Sequence, residues 1–155
     1  NALTNNLEIT EASCAVPMMA PIVKYDNFEL LDGGIPAPIP IEKSISDGNR
    51  FHVIVLTQNN GYTKKPFNKT VLAKIIYRKY PNVVKTLIKR HEIYNRQLAL
   101  CEELEKEGKA IIIRPKEPLQ VGRTTRDTKL LLELYDEGHR ECNEVVERII
   151  NHGNI

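Results

Sequence analysis

Asp32 closes an apolar run, and the next eight residues hold two glycines, Gly33 and Gly34, and three prolines, Pro36, Pro38 and Pro40. Glycine has no Cβ, so Gly33 and Gly34 permit positive φ and a close backbone approach. The prolines fix φ and delete backbone donors, which rules out a strand interior or the middle of a helix. The pattern predicts a rigid turn that holds one carboxylate at the end of a strand. Read locally, a capping aspartate in a well-made loop is the simpler account. The pattern poses the question of what would need one carboxylate held still after an apolar run.

Other local machinery is sparse. The chain has no Gly-x-Ser-x-Gly elbow, no Gly-x-x-x-x-Gly-Lys phosphate loop, no Gly-x-Gly-x-x-Gly and no His-Glu-x-x-His. Serines occur at 13, 44 and 46, none in a strand-to-helix turn flanked by glycines. Ser13 lies close to Asp32 in sequence, but without an elbow it reads as a helix-capping or packing residue. His52 and His91 fall on apolar stretches and read as satisfied core histidines. The histidines lack metal-ligand spacing, and no metal site or cofactor is expected. Cys14, Cys101 and Cys142 are odd in number and widely spaced, which predicts reduced, buried thiols in a cytoplasmic protein.

The elements that must position Asp32 follow from periodicity. Residues 9–19 predict a short helix with Thr10 as N-cap and Pro17 as its stop. Residues 22–31 alternate around Asp26-Asn27, a turn pair, and predict a hairpin that delivers the chain to Asp32. Residues 39–45 predict a short helix closed at Asp47-Gly48. Residues 51–56 form a continuous apolar run suited to a strand buried on both faces. Two helices divide at Tyr80-Pro81. The second carries Val84, Leu87, Ile88, His91, Tyr94, Leu98, Cys101 and Leu104 at helical spacing and stops at Gly108. Residues 110–113 predict another strand. A final helix is capped by Asp127 or Thr128, with Leu131, Leu134, Tyr135, Gly138, Cys142, Val145 and Ile149 as its buried stripe. Helices alternating with short strands imply an α/β layered fold. The composition, 41% hydrophobic and 27% charged with a net charge of +2, suits one globular domain and argues against disorder or a strongly polyanionic partner. No apolar run approaches the roughly 20 residues that a bilayer span needs.

The segments Phe-Glu-Leu-Leu-Asp-Gly-Gly-Ile-Pro-Ala-Pro-Ile-Pro-Ile-Glu, Glu-Ala-Ser-Cys-Ala-Val-Pro-Met-Met-Ala-Pro-Ile-Val, His-Val-Ile-Val-Leu-Thr-Gln-Asn-Asn-Gly-Tyr-Thr-Lys-Lys-Pro, Lys-Arg-His-Glu-Ile-Tyr-Asn and Ala-Ile-Ile-Ile-Arg-Pro-Lys-Glu-Pro-Leu-Gln-Val-Gly-Arg stand out. Together they resemble bacterial patatin-like phospholipases. The resemblance implies a serine–aspartate dyad that cleaves lipid or carboxylic esters without metal or cofactor. Asp32 would be the dyad aspartate, with Gly33 and Gly34 shaping its turn. With no histidine in the dyad it would accept the serine proton itself, helped by partial desolvation among Leu30, Leu31 and Ile35. The nucleophile has no counterpart in this chain, so the resemblance places residues 1–155 as the C-terminal portion of a three-layer α/β/α domain. Its short, mostly parallel sheet is flanked by helices, and the chain alone is expected to be inactive. Asn1-Ala2, without an initiator Met, reads as a tag remnant. An incomplete sheet of this kind is expected to pair as a homodimer.

Between residues 63 and 96 basic side chains outnumber acidic ones heavily, Glu92 being the one carboxylate. Lys64, Lys65, Lys74 and Arg78 are candidate contacts for anionic lipid headgroups, as peripheral membrane attachment would require. A solvated helix face, balanced by acidic residues 102–107, is the simpler reading. Tyr62, Phe67, Tyr77 and Tyr80 are interleaved with the basic run and are expected in or near the core, the alternative being a lipid-contact surface. No nucleic-acid recognition pattern accompanies the charge. The rival to the hydrolase is a non-catalytic module that binds lipid or another protein.

Overall fold

A computed structural model describes residues 7–122 and 124–153. In chain order the elements are α1 (Leu7–Ser13), β1 (Val23–Tyr25), β2 (Phe28–Leu30), α2 (Ile41–Ser46), β3 (His52–Val55), α3 (Thr70–Ile76), α4 (Pro81–Lys106), β4 (Ala110–Ile113) and α5 (Thr128–Gly153). The α/β expectation holds, but the four strands form two separate pairs rather than one mostly parallel sheet. The two-residue turn at Asp26-Asn27 forces β1 and β2 antiparallel, with Val23 opposite Leu30 and Tyr25 opposite Phe28. Asp26 takes φ of 53°, a left-handed conformation that Asp tolerates better than most residues. The chain divides into two compact units.

One unit comprises the described residues up to Pro40 together with Lys64–Arg96. In α1, Thr10 is not the N-cap but lies inside the helix, and Ser13 Oγ donates to its carbonyl at 2.8 Å. The helix stops four residues before Pro17, where Cys14 N and Ala15 N turn to the carbonyls of Glu11 and Ala12. Pro81 opens α4 at the first helical position, where its missing N–H costs nothing. Ile35, Ala73, Tyr77, Val84 and Leu87 form one buried cluster of this unit, and Ala12, Ala15 and Val23 form another. The Tyr77 hydroxyl also accepts from Met18 N at 2.9 Å, which fixes the loop after α1.

The other unit comprises Ile41–Thr63 and the described residues from Gln97 onward. There β3 and β4 pair in parallel, His52 beside Ala110 through Val55 beside Ile113. The corner between α4 and β4 is a Schellman motif. Lys109 N bonds Leu104 O, Gly108 N bonds Glu105 O, and Gly108 takes φ of 72° as the predicted stop. Glu105 then accepts from Ile112 N and Arg114 pairs with Glu102, so α4 carboxylates bind β4 and its exit. Asp127 caps α5 as expected, accepting from Lys129 N and Leu130 N. Lys116 bridges to Glu141 and Glu144 on that helix.

Three expectations of burial fail. β4 is buried throughout, but β3 alternates, leaving Val53 and Val55 exposed although their partners Ile111 and Ile113 are buried, because the cover over β4 does not extend across this side of β3. The α5 stripe is at best half-buried: Leu131, Tyr135, Gly138 and Cys142 are exposed, and Leu134, Val145 and Ile149 are intermediate. Of the cysteines only Cys101 is buried. Cys14 lies past the end of α1 and Cys142 on the open side of α5, and both are exposed. No helix among the described residues is long and apolar enough to cross a membrane.

Candidate functional site

The hairpin leaves the chain at Leu30, and two residues later Asp32 N donates to Ala15 O at 3.1 Å. This bond ties the turn to the segment after α1. The half-buried Asp32 side chain then folds back on its own turn, with Oδ1 accepting from Gly34 N at 2.7 Å. Asp32 O accepts from Ile35 N and Gly33 O from Ala37 N, which completes a tight, fully bonded bend. Neither Gly33 nor Gly34 uses positive φ; that freedom is used at Gly48, Gly61 and Gly108. Gly34 is required for space instead. A Cβ there would sit 3.1 Å from Asp32 Oδ1 and 3.8 Å from Arg90 Nη2. At Gly33 a Cβ would meet nothing within 4 Å.

From α4, Arg90 Nε donates to Gly34 O at 2.6 Å and clamps the turn from outside. Among the described residues no salt bridge reaches Asp32, and Gly34 N supplies the hydrogen bond to its carboxylate. The carboxylate lies on the wall of a cavity of about 290 Å³ with Ile22, Leu31, Ile35 and Val83 as apolar lining. Tyr80 closes one side, its hydroxyl donating to Glu29 Oε1 at 3.0 Å. That bond, with burial and the Glu29 charge adding to it, raises the tyrosine pKa, so Tyr80 stays a donor. Such a site can hold an apolar chain beside the fixed Asp32 carboxylate, with Glu29, held by Tyr80, as a second carboxylate in its lining.

The remaining candidates are scattered. Ser13 spends its hydroxyl on Thr10 O, as expected of a helix residue. His52 is buried, with Nδ1 3.0 Å from Ser44 Oγ, and His91 Nδ1 donates to Ile88 O at 2.8 Å, so both histidines are satisfied where they stand. Lys64 is half-buried, with Nζ 5.3 Å from the Tyr94 ring centroid and its backbone N and O bonded to the Asn95 amide. Lys65, Lys74 and Arg78 are exposed. Tyr77 is core, and Phe67 and Tyr80 pack against that core, as the simpler reading held.

Two features lie outside the sequence expectations. Arg90 belongs to the basic run and to the segment Lys-Arg-His-Glu-Ile-Tyr-Asn, but its role as a clamp depends on a carbonyl 56 residues away in sequence. Val71, Leu72, Ile75 and Ile76 belong to no expected site, and all four are exposed. A signal existed in that neighbouring lysines flank them on both sides. Residues 80–152 match a domain of unknown function, DUF6363. No curated protein and no solved structure matches the chain. The matched segment starts at Tyr80 on the cavity wall and takes in Arg90, whereas Asp32 and its glycines lie before it.

Proposed function

We propose that this chain is the aspartate-bearing, C-terminal part of a patatin-like α/β/α hydrolase that cleaves lipid or carboxylic esters. The observation that carries the reading is the Asp32 carboxylate, fixed by Gly34 N at 2.7 Å on the wall of a largely apolar cavity. The nucleophilic serine would come from a Gly-x-Ser-x-Gly elbow in an upstream segment of the same protein. Asp32 accepts the serine proton as the hydroxyl oxygen attacks the ester carbonyl. The alkoxide leaves with a proton, and water then releases the acid from the acyl-serine by the same base. The bond from Gly34 N keeps the carboxylate oriented without a cation, and the lining of Ile22, Leu31 and Val83 offers an acyl chain an apolar wall. Residues 7–153 hold no serine elbow, so the isolated chain should not turn over esters.

Asp32→Asn in the full-length protein is the direct test, assayed on a short-chain p-nitrophenyl ester. Loss of a positioned base should lower turnover by about 10²–10⁴-fold. Wild-type turnover in the variant would remove Asp32 from the mechanism. A gene that encodes no upstream Gly-x-Ser-x-Gly would end the hydrolase reading altogether.

A further inference from the structure

α3 presents an apolar face to solvent. Val71 is 74% exposed, Leu72 47%, Ile75 66% and Ile76 48%. At about 100° per residue these four share one side of the helix, opposite Ala73 and Tyr77, which seal the core. The helix is therefore fixed through Ala73 and the Tyr77 that follows its last turn, and its aliphatic residues point outward. Exposed Met19 extends the patch, since Met19 and Ile76 line one cavity of about 420 Å³. Lys74 lies on the helix, Lys65, Lys69, Arg78 and Lys79 flank it in the chain, and all five are exposed. No acidic residue occurs between Asp47 and Glu92.

We infer that this face docks on an anionic lipid bilayer, with Val71, Leu72, Ile75 and Ile76 entering the headgroup–acyl boundary and these lysines and Arg78 meeting the phosphates. Aliphatic side chains on a helix whose own and flanking charged residues are all cationic are what a negatively charged bilayer surface complements. The other half-exposed apolar helix, α5, shows the contrast. Its Leu131, Leu132 and Ile150 stand among Glu133, Asp136, Glu137, Glu144 and Glu147, which an anionic surface repels. The inference rests on α3 and holds whether or not Asp32 is catalytic.

The test is co-sedimentation of the chain with phosphatidylcholine vesicles, with and without phosphatidylglycerol. Binding should require phosphatidylglycerol and weaken as salt rises. Leu72→Asp/Ile75→Asp should weaken it at least about tenfold, and Lys74→Glu/Arg78→Glu should weaken it as well. These positions are exposed, and far-UV circular dichroism checks that each variant folds. A second readout needs no loss of function: the chain has no tryptophan, so Ile75→Trp introduces a single reporter. Its emission should shift to the blue on phosphatidylglycerol vesicles, whereas Leu132→Trp on α5 should not respond. Absence of binding, binding indifferent to Leu72→Asp/Ile75→Asp, or a response at Leu132→Trp alone would overturn the inference. So would a dimer that binds no vesicles and dissociates in Leu72→Asp/Ile75→Asp, which would make a second copy the occupant. Asp32→Asn should bind vesicles like the wild type, which separates failure here from failure of the hydrolase reading.

Discussion

Gly33 and Gly34 are adjacent and chemically identical, yet the fold treats them differently. A side chain at Gly33 would enter open space, at a backbone conformation without positive φ. Gly33→Ala should therefore be neutral or raise stability by about 0.4–1 kcal/mol, through a less flexible unfolded chain. Gly34→Ala forces a methyl against Asp32 Oδ1 and strains the bond that orients it. It should lower stability relative to Gly33→Ala, and urea titration of the two variants compares them directly. Cys101 offers a test on pH. Burial, with the Glu102 charge second, pushes this thiol up to about 11 from 9.0. The folded state then keeps its proton while an unfolded thiol loses it, so the contribution is complete below pH 9 and is lost as pH rises toward 11. Lysines and tyrosines titrate nearby, so the readout is the stability difference between wild type and Cys101→Ala, which should shrink across that window.

Among the elements, periodicity located the helices well and their covered faces poorly. α4 buries Val84, Leu87, Leu98 and Cys101 of its predicted stripe. The stripe of α5 has the same spacing and stays at best half-covered. On α3 the larger aliphatic side chains face out while Ala73 and Tyr77 face in. Spacing states that a face exists, and only the neighbours present decide which face they cover. β3 shows this for a strand, since Val53 and Val55 stand exposed beside Ile111 and Ile113 of β4, which are buried. An exposed β-branched row of this kind favours self-association. Val55→Lys should lower light scattering at high protein concentration while changing the unfolding free energy by no more than about 0.5 kcal/mol.

At the scale of the whole molecule, local chemistry and distant contacts divided the outcome. The turn at Asp26-Asn27, the Asp127 cap, the Gly108 stop and the break at Pro81 were legible in the sequence. In each case the groups that satisfy the backbone lie within a few residues of one another. The Asp32 bend was legible too, as a rigid turn, because Gly34 N and the carboxylate it serves are two residues apart. The division into two units, the split of four strands into two pairs and the Arg90 clamp on Gly34 were not. Arg90 and Gly34 belong to one unit but lie 56 residues apart, a meeting that no local pattern encodes. By itself, then, the sequence determined where the chain turns at Asp26-Asn27, where α4 starts and stops, where α5 starts, and that one carboxylate is held still. Tertiary structure alone decided that this carboxylate borders an apolar cavity and that α3 offers its aliphatic side to solvent. Burial is set by what the rest of the chain brings alongside, whereas capping and turning are set within reach of the residue itself.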